Sequence, residues 1–351
     1  MTDRPTDSPG DTAGLRLVDR ADVGAAAQRL RGVAVRTSLH ALDAVAGAVD
    51  PALAGLRVKR EDRQPVGAFK LRGAFHAATR LDPARRAAGL VTHSSGNHGR
   101  AVAWTAQRLG VPATVVAPHD AVTAKIDAMG ALGARLVRVA ADERERAADA
   151  ECARTGGALI PPYDHPDVIA GQGTVGAEIL AQWPEVEQVL VPVGGGGLIS
   201  GIAAALAGTG IAVVGVEPEV AGDAAESVRV GRRVRWPRER VSTTAADGLR
   251  ATSLGALTWA HVRALVTDVV TVSEKQIEHA ARTLHAAGVP AEASGAVATA
   301  GWLAHPALRG AASVAVVSGG NADPEWVARV VGGGSSWRGD TSPVDGHDDP
   351  R

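Results

Sequence analysis

The chain of 351 residues has a single cysteine, Cys152, so neither an internal disulfide nor a cysteine-built metal cluster is open to it. Aromatic residues make up only 3%. The formal charge is -1, which leaves no basic field to attract nucleic acid or an anionic membrane. No apolar run reaches the roughly 20 residues of a membrane-spanning helix. Residues 1–11 carry acids and prolines but no apolar stretch of leader length, so a cytoplasmic location is expected. The most telling scarcity is lysine. Of 37 basic residues only Lys59, Lys70, Lys125 and Lys275 are lysines, and the rest are arginines. A guanidinium stays protonated and is no amine nucleophile. A lysine retained in such a chain is therefore a candidate for Schiff-base chemistry. Lys275, in a polar helix start, and Lys125 read as incidental. Lys70 is different. It lies between Phe69 and Leu71 and close to Gly67 and Gly73, where an amine can be desolvated and backbone can approach a ligand.

What is present is length, an ordinary globular composition with 45% hydrophobic residues, and a regular alternation. Residues 1–20 and 332–351 read as disordered ends. A helical pattern runs from Val23 to Val49 with a break near Thr37-Ser38. Strands are predicted at 56–59, 90–92, 113–117, 135–139, 188–193, 211–216, 267–272 and 312–317. Between them lie helices at 70–81, 97–109, 122–132, 142–154, 173–182, 198–206, 254–265, 274–287 and 294–303, with a last one at 324–331. Residues 218–250 look irregular, arginine-rich and partly helical. Such alternation predicts an α/β fold of parallel sheets covered by helices, with ligands at the C-terminal ends of the strands. No low-complexity linker separates 20 from 331, so two domains would be interleaved.

Three turns carry chemistry. Gly194-Gly195-Gly196-Gly197 lies between an apolar strand and a helix, where bare N–H groups and the helix dipole favour a phosphate. A tight turn is the plainer explanation, but a turn seldom needs four glycines. The loop lacks the Gly-Lys-Ser/Thr ending of a P-loop. Ser94-Ser95-Gly96-Asn97-His98-Gly99 opens a helix; its polar residues suit ordinary capping or a bound carboxylate equally well. His98 alone reads as structural. Ser318-Gly319-Gly320-Asn321 closes the last strand, where a serine can face the crevice.

Taken in order, Phe69 to Ala74, Ser94 to Gly99, Gly194 to Gly197 and Ser318 to Asn321 resemble the fold-type II pyridoxal-phosphate enzymes, in particular the threonine/serine dehydratase and serine racemase branch. The resemblance covers about residues 30–330, including Val168 to Thr174 and Ala246-Asp247-Gly248. It implies a tryptophan synthase β-like fold of two interleaved parallel-sheet domains. The larger, residues 21–83 plus 166–331, would bind the cofactor, and the smaller, 84–165, would be inserted in it. The implied cofactor is pyridoxal 5'-phosphate, and the implied assembly is a homodimer acting on a small hydroxy amino acid. Lys70 would hold the cofactor as a Schiff base and act as the base at Cα. Gly194, Gly195, Gly196, Gly197 and Leu198 would surround the phosphate, Asn97 would meet the ring hydroxyl oxygen, Ser318 the ring nitrogen, and Phe69 would pack alongside. Ser94, Ser95 and Asn97 would hold the substrate carboxylate, aided by Arg146. Ser95 is also the proton shuttle expected of a racemase. Glu217, Ala221 and Asp223 resemble a Mg²⁺ or Ca²⁺ site. Ala68 and Ala293 depart from the usual serine and proline. The implied activity is an ammonia-lyase of L-threonine or L-serine. Serine racemase or hydroxyaspartate dehydratase is the nearest alternative, and a cofactor-binding protein without turnover is the alternative of another class.

Overall fold

The computed structural model of the chain describes residues 14–43 and 49–332. Among the described residues ten strands form two sheets: β1 (Leu39–Ala41), β2 (Leu56–Arg60), β3 (Leu90–Thr92), β4 (Ala113–Pro118), β5 (Arg135–Val139), β6 (Ala158–Leu159), β7 (Gln188–Pro192), β8 (Ala212–Pro218), β9 (Asp268–Val272) and β10 (Ser313–Val317). The larger sheet has the order β1-β2-β10-β7-β8-β9 and the smaller β5-β4-β3-β6. All neighbours are parallel except β1 and β2. Every strand of the smaller sheet falls between residues 90 and 159, inside a gap between strands of the larger.

The runs that form the central strands are apolar throughout because helices cover both faces. Val189, Leu190 and Val191 of β7 and Val314 to Val317 of β10 are fully buried. At ~1.5–3 kcal/mol per large apolar side chain, such positions hold the sheet in register. Glycines let the Pro166–Gln182 helix cross two others closely. A Cβ on Gly171 would lie 2.7 Å from Arg72 O, and one on Gly201 2.3 Å from Ile169 O.

Some expectations fail for clear reasons. Within the helical pattern of 23–49 the described residues show the helix Arg20–Arg29, while Leu39–Ala41 is a strand antiparallel to β2. An edge pairing outweighs periodicity over so short a stretch. Val45 lies outside the described residues. The helix expected at 173–182 starts at Pro166, capped by His165 and with proline in its first turn. The disorder expected for residues 1–20 does not hold at 14–20. Val18 is buried and its N–H donates to His261 Nε2 at 2.9 Å, and Asp19 caps the first helix. Residues 1–13 and 333–351 lie outside the described residues. Among the described residues, no helix is long and apolar enough to cross a membrane.

Candidate active site

The C-terminal ends of strands from both sheets face one cleft of about 690 Å³. Lys70, the first residue of its helix, projects into it, and Nζ donates to Pro162 O at 2.7 Å. Desolvation lowers its amine to about 8, so a useful fraction is unprotonated near neutrality. The Phe69 ring centroid lies 5.1 Å away.

The polyglycine turn follows β7 and opens the Gly197–Leu206 helix, with Gly196 at φ +87°. Its bareness is required twice over. A Cβ on Gly195 would meet the Tyr163 ring at 2.3 Å, and one on Gly197 would meet Tyr163 Cβ at 2.9 Å. Part of the glycine run therefore makes room for the only tyrosine in the chain, which also lines the cleft. The first-turn N–H groups of a helix have no acceptor within it, and Gly194 to Gly197 border the cleft. Leu198 lines that space as well.

The side chains of the Ser94 to Asn97 turn do not cap the helix they precede. The cap of the Asn97–Leu109 helix is Gly96, with no side-chain cap, while Ser94, Ser95 and Asn97 all line the cleft. Ser94 Oγ accepts from Gly96 N at a long 3.3 Å. His98 is buried beside them, bonded to Ile160 O at 2.9 Å and pushed down to about 3 by desolvation and Lys70. It is a neutral structural group. Ser318, at the end of β10, is buried and reaches Ser294 O at 3.4 Å.

Arg146 is a correction. Its side chain is 80% exposed and pairs with Glu143, because the helix that begins at Arg144 turns it outward. Arg144 lines the cleft instead. Burial and the nearby Arg238 lower its guanidinium. Lys125 is not incidental either, since it donates to the Asp247 carboxylate and joins the Thr123–Ala131 helix to the 247–249 turn across the cleft. Glu292, Tyr163, Arg144 and Arg238 were missed as site residues. Only a three-dimensional arrangement brings them together, although a lone tyrosine in an aromatic-poor chain was a signal.

Away from the cleft, Glu217 near the end of β8 and Asp223 at the start of the Asp223–Val230 helix are both buried and close enough to repel. Glu217 accepts from the N–H groups of Ala224 at 3.2 Å and Ala225 at 2.8 Å. Both Asp223 carboxylate oxygens lack a partner. Burial and mutual repulsion raise Glu217, and burial pushes Asp223 to about 8. Orphaned buried carboxylate oxygens beside a second acid fit a hard cation. Among the described residues no cluster of three or more His, Cys, Asp or Glu exists, so a cation here would draw its other ligands from backbone, as expected for the buried Ala221, and water.

A family model described as "Pyridoxal-phosphate dependent enzyme" matches residues 31–320. The chain belongs to this family. Pyridoxal phosphate is accordingly its cofactor, and the cleft suits it. It has a polyglycine turn that any Cβ would fill, a desolvated lysine and an uncapped polar helix start. The chain is 40% identical over 281 residues to the L-threo-3-hydroxyaspartate ammonia-lyase of Saccharomyces cerevisiae, covering 78% of this chain and 85% of the yeast protein. It is 41% identical over 276 residues to the serine racemase of Arabidopsis thaliana, covering 76% of this chain and 82% of the plant protein. The crystal structure of a T.th. threonine deaminase superposes with a TM-score of 0.79 at 40% identity, covering 87% of this chain and 99% of that one. This protein is thus a member of the ammonia-lyase and racemase group of pyridoxal-phosphate enzymes.

Proposed function

We propose that the protein is an ammonia-lyase that eliminates the β-hydroxyl of L-threonine or L-serine, giving 2-oxobutyrate or pyruvate and ammonia. The observation that carries the reading is the Lys70 amine, desolvated to about 8 and opening on the cleft that holds the polyglycine turn and the Ser94 to Asn97 turn. Pyridoxal phosphate, when bound, supplies the electron sink that acidifies the Cα–H of an amino acid. Gly194 to Gly197 would hold its phosphate, Asn97 its ring hydroxyl oxygen, and Phe69 one ring face. Ser318 offers the ring nitrogen a neutral partner rather than a carboxylic acid, which favours β-elimination over transamination. Ser94, Ser95 and Asn97 hold the substrate carboxylate against the helix start. Lys70 takes the proton from Cα. The electron pair it leaves forms the Cα–Cβ double bond as the β C–O bond breaks, and the hydroxide departs as water after taking up a proton. The enamine, once free, takes up water and yields the 2-oxo acid and ammonia. Glu217, Asp223 and the Ala221 carbonyl would hold Mg²⁺ or Ca²⁺ beneath the sheet, outside the chemistry. A homodimer is proposed on the family resemblance alone, for checking by light scattering.

One observation favours a second reading, a dicarboxylic hydroxy amino acid such as 3-hydroxyaspartate. Arg144 and Arg238 both line the cleft, and Arg238 is among the groups that depress Arg144. Two like charges there suit a second substrate carboxylate. Release of 2-oxo acid and formation of D-amino acid from L-serine, L-threonine and the 3-hydroxyaspartate isomers test these readings together. Dominant oxo acid from serine or threonine supports the first, and dominant turnover of 3-hydroxyaspartate the second. D-amino acid formed through Ser95 without oxo acid would replace both with racemisation.

A further inference from the structure

Asn97 is not a free rotor in the cleft. Its Nδ2 donates to Glu292 Oε1 at 2.7 Å, and its Oδ1 accepts from Asn321 Nδ2 at 2.7 Å. Asn321 is fixed in turn, because Nδ2 also donates to Val66 O at 2.8 Å and Oδ1 accepts from Arg100 at 2.8 Å. A chain of four side chains, Arg100, Asn321, Asn97 and Glu292, thus starts and returns through the Asn97–Leu109 helix and is anchored on elements of the larger sheet. Glycines clear the space for both anchors. A Cβ on Gly67, which sits at φ +70°, would lie 2.4 Å from Asn321 Oδ1, and one on Gly319 would lie 2.4 Å from Glu292 Oε1. These glycines flank the lysine segment and the last strand turn, which are themselves bonded through Phe69 N to Ser318 O at 3.0 Å and Gly320 N to Gly67 O at 3.0 Å.

The arrangement leaves Asn97 one orientation. Flipping its amide would set NH₂ against the Asn321 NH₂, which Val66 O and Arg100 hold in place, and so lose that bond. Only the second side-chain N–H on Nδ2 then remains for the cofactor ring, which leaves the Asn97 backbone N–H for a substrate carboxylate. We propose that Glu292 and Asn321 are positioning residues that fix the Asn97 amide for the cofactor ring, and that the Glu292 carboxyl serves this role in its neutral form. This rests on the reading of Asn97 as the contact to the ring hydroxyl oxygen. A negative charge on Glu292 would stand next to that oxygen, which itself carries negative charge, and would loosen the cofactor. The groups facing Glu292 keep it neutral up to about 7. Burial contributes most and Asp247 adds to it, against Asn97, Lys125 and the Asn321 backbone. The surrounding cations are engaged elsewhere, Lys125 by Asp247 and Arg100 by Asn321, while Lys70 turns to Pro162.

The test is equilibrium binding of pyridoxal phosphate to the full-length protein, with its absorbance band recorded across about pH 5.5 to 8.5. Relative to Glu292→Gln, the wild type is expected to lose about tenfold in affinity as pH rises through 7, while the Lys70 amine at about 8 adds the same limb to both profiles. Asn321→Asp, which keeps the size but turns an acceptor toward Asn97 Oδ1, is expected to weaken binding by about tenfold at every pH. Asn321→Ala gives the same answer should the added charge disturb folding. An unchanged pH dependence in Glu292→Gln overturns the proposal, as does wild-type affinity in either Asn321 variant. These readouts need no turnover. A wild type that binds the cofactor this way yet releases no oxo acid would sink the lyase reading alone.

Discussion

Beneath the Lys70 helix, Arg72 donates to Glu61 at 2.8 Å and to Glu178 at 2.6 Å, while Lys59 Nζ donates to Glu178 at 2.6 Å, Gln182 at 2.9 Å and Thr37 O at 2.7 Å. Under the end of β8, Glu217 and Asp223 are as deeply buried, but Glu217 accepts backbone N–H groups and neither Asp223 oxygen has a partner. The first group is neutralised by its own neighbours. The second is not. Fully paired buried charge belongs to the scaffold, because each donor there is already engaged. Buried carboxyl oxygens left unsatisfied call for an explanation, and the cation proposed for Glu217 and Asp223 is one. Lys70 sits between these cases, desolvated yet bonded only to a carbonyl. The two acid groups also answer pH in opposite directions. Arg72 holds Glu61 below the usual carboxylate range, so its contribution is present above that range and lost as pH falls through the depressed value. Asp223 at about 8 costs the cation-free protein stability as pH rises from the ordinary carboxylate range toward that value.

The largest expected effect breaks the scaffold side. Arg72→Met strands Glu61 and Glu178 and should cost about 3–5 kcal/mol in urea unfolding. A cost below about 1 kcal/mol would mean the cluster is not acting as a paired unit. Next comes the site side. Lys70→Ala should lower kcat by at least about a thousandfold, or ~4 kcal/mol, with a melting temperature close to wild type. Saturating Mg²⁺ or Ca²⁺ should stabilise the protein by about 2.7 kcal/mol at one hundred times Kd, and chelation should reverse this. Asp223→Asn should abolish the response, and an indifferent wild type would remove the cation. The smallest effect is a pH profile. Glu61→Gln should flatten the acid limb of stability, and Asp223→Asn the limb up to about 8 in chelator. Exchanged or identical profiles would erase the distinction.

Much of this was legible in local pattern. Eight of the ten described strands lie where apolar runs stand between helical periods, the edge strand β1 and the two-residue β6 being the exceptions, and Lys70 was marked by the scarcity of lysine together with its apolar and glycine neighbours. The first-turn regions failed where tertiary pairing decides. Leu39–Ala41 joins β2 although its spacing is helical. Arg146 was expected at the site, but the helix that begins at Arg144 turns it outward and leaves Arg144 lining the cleft. Glu292, Tyr163 and Asn321 act through partners far away in the chain, as Asn97 and Asn321 do across 224 positions. No local signal announces such a contact. The glycines were legible as bare backbone, but the side chains they make room for were not. Gly195 clears Tyr163 and Gly319 clears Glu292.

The central claim is that one lysine amine carries the cofactor. Reducing the holoprotein with borohydride and mapping its peptides by mass spectrometry tests it most directly. The expected result is a single pyridoxyl group on Lys70. A pyridoxyl group on Lys59, Lys125 or Lys275, or on none of the four, would contradict the account.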